Sequence, residues 1–133
     1  MRTAEAVEAY RLAPDPWTGW SRQTDHVAGR LRAFLWLIGG TDFAGWHRVP
    51  ADALVGHEAG GACALSRSPD GVAADAAHLG ERAARWARVP EGAAMTLEPV
   101  GAWSLLRVTY VPDAGLTARD VLPDEWFPGR GWP

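Results

Sequence analysis

Lysine and asparagine are absent from this 133-residue chain, and isoleucine occurs once, at Ile38. The codons of these three residues are AT-rich, so their scarcity reports a GC-rich genome. The 13 arginines fill positions that lysine otherwise shares and carry no special message by their number. A single cysteine, Cys63, excludes an internal disulfide and a cysteine-built zinc cluster. No apolar run nears the roughly 18 residues of a membrane-spanning helix. The first ten residues lack the apolar stretch of a secretory signal. The formal net charge of −3 lacks the basic excess typical of nucleic-acid binders. Together these absences predict a cytoplasmic protein with neither a membrane nor a nucleic acid as partner.

Hydrophobic residues make up 47% of the chain, enough for the core of one domain. The expected division is a single domain over residues 1–122 and an irregular aromatic tail over 123–133. The strongest pattern runs from Ser68 to Pro90. Val72, Ala76, Leu79, Ala83 and Trp86 recur at helical spacing, Pro69 and Asp70 suit a first turn, and Pro90 supplies a stop. A second helix is predicted over 21–38, where Val27, Leu31, Phe34, Leu35 and Ile38 share a face and Trp36 projects away from it. A short helix is expected over 3–12 and another over 117–122. Residues 62–67, 94–98 and 103–111 alternate as strands, the last two joined as a hairpin. In the 103–111 strand, Leu106, Val108 and Tyr110 line one face. The predicted fold is α+β: a small, mostly antiparallel sheet of three to four strands with two main helices packed on it.

Chemistry is thinly marked. Asp42, His47, Asp52, His57, Glu58 and Cys63 form the densest polar group, and His47, His57, Glu58 and Asp42 are its catalytic candidates. Histidines and carboxylates at strand ends serve as general acids and bases or hold a metal. Their spacing matches no established metal signature, and His57-Glu58 lacks a second histidine four residues on. No resident metal or cofactor is therefore indicated. Cys63 lies in an apolar strand, where cysteine behaves as a compact hydrophobe. Phosphate-binding glycine loops and the nucleophile elbow are absent.

Eight tryptophans are the outlier. Trp17 and Trp20 flank a proline-rich turn, where they lid the core or clamp a ligand. Trp126, Phe127 and Trp132 crowd a tail that proline and glycine keep irregular. Such rings need cover, either by folding back onto the 103–111 strand or by docking on a partner. Tryptophan and arginine are enriched in interface centres. The leading expectation is a binding or assembly module contacting another protein or another copy of itself through Trp126, Phe127, Arg130, Trp132 and Trp36. The alternative is a small metal-assisted or acid–base enzyme built on the 42–58 cluster.

Overall fold

The computed structural model describes residues 1–130. Strands account for 51% of the chain and helix for 8%, which overturns the α+β expectation. One helix, α1 (Thr3–Ala9), precedes eleven strands: β1 (Ala13–Pro14), β2 (Trp20–Val27), β3 (Leu31–Gly39), β4 (Ala44–Arg48), β5 (Asp52–Gly60), β6 (Cys63–Ser68), β7 (Asp75–Leu79), β8 (Trp86–Val89), β9 (Ala94–Pro99), β10 (Trp103–Val111) and β11 (Asp120–Val121). They form two sheets, with strand orders β1-β2-β3-β10-β5-β8 and β11-β4-β9-β6-β7. The sheets pack face to face as a sandwich.

Both predicted main helices are strands, and each misreading has a physical cause. Residues 21–38 make the β2–β3 hairpin. Its turn is set by Gly29, at φ +73°, and closed by the Arg30 N–H donating to the Val27 carbonyl at 2.9 Å. Positive φ suits glycine because it has no Cβ. β3 is buried from Ala33 to Gly39 on both faces. Phe34, Trp36 and Ile38 enter the space between the sheets, while Leu35 and Leu37 lie under α1 beside Ala6 and Leu105. A strand covered on both faces shows no period of two and reads as an all-round apolar helix end. Trp36, expected to project toward a partner, is 0% exposed, and its ring N–H donates to the Thr18 carbonyl at 2.9 Å.

The 68–90 stretch is a turn followed by β7 and β8. The Asp70 carboxylate accepts from the Val72 and Ala73 N–H groups at 2.8 and 3.0 Å. Pro69-Asp70-Gly71 is a turn signal, because proline presets φ and the aspartate caps the backbone two residues on. Of the residues whose spacing mimicked a helix face, Ala76 and Leu79 fall on β7 and Trp86 on β8, strands of different sheets, while Val72 and Ala83 fall in the connecting segments. β9 and β10 are strands as expected, but they do not pair as a hairpin. β9 joins β4 and β6, whereas β10 joins β3 and β5 in the other sheet. The 117–122 segment is a 3-10 turn, Leu116–Ala118, leading into β11. The face assignment of β10 holds, with Leu106, Val108 and Tyr110 all in the central core.

The aromatic tail folds back on its own chain, though not onto β10. Trp126 is buried with Leu122 and Ala94 and packs on Trp46 of β4, against the second sheet. Each large side chain buried this way contributes roughly 1.5–3 kcal/mol. Phe127 is half exposed, with the Arg130 guanidinium 4.6 Å over its ring. Trp132 lies outside the described residues. No described helix is long and apolar enough to cross a membrane.

Candidate functional site

The polar residues grouped by sequence spacing come apart in space. Asp42 lies in the turn after β3, where its carbonyl accepts from the Thr18 hydroxyl at 3.0 Å. Asp52 opens β5 and binds Arg88 and the Glu91 N–H at 2.9 and 2.8 Å. Adjacent strand residues point to opposite faces, so His57 and Glu58 diverge. Glu58 is exposed and pairs with Arg107 at 3.3 Å. His57 is buried, and its Nε2 lies 3.1 Å from both the Gly60 and the Gly61 carbonyls. Carbonyls only accept, so this nitrogen carries the proton. Among the described residues no three His, Cys, Asp or Glu come together as a metal-holding group.

Cys63 is fully buried, and burial pushes its thiol up to about 12. It is therefore expected to resist a thiol reagent in native buffer and to react fully only on unfolding. Fast labelling of the native protein at neutral pH would contradict this placement.

His47 reaches the space between the sheets. Its ring meets Trp17 edge-on at 4.8 Å and lies 6.1 Å from Trp36. Nδ1 donates to the Gly45 carbonyl at 2.8 Å, which leaves Nε2 as a lone-pair acceptor. No hydrogen-bond partner meets Nε2. Burial lowers the imidazole to about 4; the Arg119 charge adds to this, while the Gly45 and Met95 backbones oppose it. At neutral pH His47 is uncharged.

Beside it lies a buried ion pair that sequence reasoning missed. Arg119 grips Asp15 with two hydrogen bonds of 2.6 and 3.1 Å, and the two side chains are 1% and 0% exposed. The guanidinium sits 4.0 Å over the Trp36 ring and 5.3 Å from that of Phe34. Burial works to raise Asp15, but the Arg119 hydrogen bonds and charge outweigh it and hold the carboxyl below its usual range. The pair is a forked arginine–carboxylate contact between residues 104 positions apart, a distance at which no sequence motif operates.

Above these groups opens a cleft of about 660 Å³, whose walls include Trp17, Phe43, Trp46, Thr96, Trp126 and Phe127. Trp46 and Trp126 meet at 5.4 Å with their planes at 77°, forming an aromatic corner. Phe43 and Phe127, about half exposed, edge the rim. A shallower cleft of about 360 Å³ shares Trp17 and reaches Arg119, so Trp17 partitions the two. The one wall residue that the sequence singled out as a ligand clamp was Trp17. The rest come from segments far apart in the chain. Of the residues expected to face a partner, Trp126 and Phe127 line this cleft, and Arg130 stacks on Phe127.

No protein-family model matches the sequence, and no curated protein matches it. Solved structures do resemble it. A protein from Shewanella oneidensis superposes with a TM-score of 0.80 at 18% identity, over 94% of this chain and 87% of that one. A hypothetical protein from Leishmania major gives 0.84 at 13% identity, over 95% and 90%. Oxalate decarboxylase from Bacillus subtilis, a protein with Mn(II) centers, gives 0.65 at 14% identity, over 79% of this chain but 28% of that one. Likeness at such identity concerns backbone architecture alone: the chain has a cupin-like β-sandwich fold.

Proposed function

We propose that this protein is a small-molecule-binding β-sandwich that takes an organic ligand in the aromatic cleft. The observation that carries the reading is the cleft itself: about 660 Å³, with five aromatic side chains in its wall. Ligand sites are typically concave, apolar and of this size. The fold supports it by holding Trp46 on β4, Trp17 and Phe43 on the segments between strands, and Trp126 and Phe127 on the folded-back tail. The Mn(II) chemistry of oxalate decarboxylase is not carried over. The described residues present no group of three metal ligands, so no step is routed through a metal.

The test is ligand-observed NMR with a library of soluble fragments, followed through the indole N–H signals of Trp46 and Trp126. Binders that shift these signals, and that weaken in Phe43→Ala, are the expected result. Phe43 is exposed, so its loss leaves the core intact. A library without one binder at this cleft would overturn the reading.

Acid–base catalysis is a second reading, favoured by one observation. His47 holds an unpartnered acceptor nitrogen directly behind Trp17, a wall of the cleft. Displacement of Trp17 would bring a bound ligand within reach of that lone pair. Turnover of a bound ligand that His47→Gln abolishes without loss of binding would support it. Equal turnover in the variant would exclude it.

A further inference from the structure

The interior behind Trp17 holds polar atoms that no described residue satisfies. We propose that Trp17 is a displaceable plug over a second binding site, which takes a small flat molecule with an uncharged head that both donates and accepts hydrogen bonds, an amide being the simplest. The inference goes beyond the aromatic-cleft reading and does not depend on it.

The polar atoms carry the argument. His47 Nε2, the Tyr110 hydroxyl and Arg119 Nε are all buried and have no hydrogen-bond partner among the described residues. Buried polar atoms are nearly always paired, because an unmade bond forfeits their hydration for nothing. These three groups share one stretch of the core. The Arg119 guanidinium sits 4.0 Å over Trp36 and 5.3 Å from the Phe34 ring. The Tyr110 ring meets Phe34 at 5.2 Å, and the His47 ring meets Trp36 at 6.1 Å. Phe34 and Trp36 are successive inward residues of β3, so the polar groups lie side by side along it.

Their inventory selects the ligand. Arg119 Nε–H only donates, His47 Nε2 accepts, and the tyrosine hydroxyl does either. Charge is already balanced here. Asp15 takes up the Arg119 charge, and His47 is neutral. Burial raises Tyr110 against the opposing pull of Arg119, so it keeps its proton. An ionic head would therefore bring a charge that nothing compensates. A carbonyl with no donor beside it would leave the His47 lone pair unpaired. An amide serves both needs with one planar group.

Trp17 is the way in. Its ring packs on His47 at 4.8 Å and on Trp36 at 6.0 Å, and the residue is half-buried. It stands on the irregular turn at 15–19, between two clefts, the smaller of which has Arg119 in its wall. The ring N–H groups of Trp36 and Trp103 donate to backbone carbonyls, but that of Trp17 donates to no described residue. Outward rotation of Trp17 thus breaks ring contacts alone and leaves its backbone N–H on Asp15. The vacated space has the size of an indole, which suits a flat body. It faces His47 and Trp36 and is continuous with the cleft of about 360 Å³.

The experiment titrates the protein at pH 7 with benzamide, benzoate and acetophenone, molecules of indole size that differ in the head alone. Nitrogen NMR signals of the His47 ring and the Trp36 indole report on the site. Benzamide is expected to move both and to bind at least about tenfold more tightly than the other two. Tyr110→Phe keeps the packed ring and removes an unpartnered hydroxyl, so it is expected to fold as the wild type does and to bind benzamide several-fold more weakly. His47→Asn is expected to weaken binding likewise, through loss of the acceptor; if it does not fold, Tyr110→Phe decides by itself. Phe43→Ala changes the larger cleft alone and is expected to leave benzamide binding unaltered. Equal binding of the three compounds, or tightest binding of benzoate, overturns the uncharged donor–acceptor assignment. Binding that Phe43→Ala weakens and the core variants do not places benzamide in the aromatic cleft, so this inference falls and the earlier reading stands. No shift with any compound means that the three atoms hold water alone, which overturns the inference without bearing on the aromatic cleft.

Discussion

Asp15→Ala is expected to cost about 3–5 kcal/mol, because it strands the Arg119 charge in a dry interior. Arg119 is 1% exposed at its side chain and sits 4.0 Å over the Trp36 ring, so its guanidinium is largely shielded from water. Urea melts of the wild type and the variant measure the loss. Replacing both partners with apolar residues, as in Asp15→Leu with Arg119→Met, is expected to be near neutral or stabilising by about 1–4 kcal/mol, since neither charge then needs desolvation. A loss under about 1 kcal/mol in the single variant would mean that the pair is hydrated, like an ordinary surface bridge. Acid acts on the same contact. The folded carboxyl is held below its ordinary value of 3.8. The contribution is therefore complete above that value and disappears as pH falls through the lower, folded one.

Mild acid is expected to weaken the protein at a higher pH through His47. Burial lowers this imidazole from 6.5 to about 4. Above pH 6.5 the folded and unfolded forms both hold it neutral. Between the two values the unfolded chain takes a proton that the folded one refuses. Stability then falls as pH drops, by roughly 1.4 kcal/mol per unit and about 3 kcal/mol in all. Below about pH 4 this slope ends. Urea melts at several pH values from 7 to 4 give the slope directly. His47→Asn keeps an amide N–H near the Nδ1 position for the Gly45 carbonyl but cannot take the proton, and it is expected to flatten that part of the profile. A variant as acid-sensitive as the wild type would show that His47 is not the group responsible.

Three strands were legible because they alternate, while β7 and β8 read as a single helix. β6, β9 and β10 were all foreseen, as were the two faces of β10. What the sequence hid was β3, and with it the architecture. Its seven consecutive buried residues erase the alternation that marks a half-exposed strand. The Pro69-Asp70-Gly71 turn was legible but was outweighed by alanine spacing, which is a weak signal when small residues are common. The candidate site shows the same division. The need of the tail rings for cover could be read from their exposure cost, and Trp126 is covered as that cost requires. The partners of these rings were invisible, since Trp46 and Trp126, which meet at 5.4 Å, are 80 positions apart in the chain.

The union of Asp15 with Arg119 also sets an order of events in synthesis. The two residues are separated by 104 positions, and the cleft above them needs Trp17 and Trp126 together. Contacts of such long sequence separation form late and slowly, because the loop must close before they reward it. A nascent chain that has emerged only as far as β10 already holds most of the core, but Asp15 lacks its cation and the cleft lacks one wall. The cleft is therefore complete only after most of the sandwich has been built, and a ligand of the proposed kind would trap the finished state rather than template the early steps of folding.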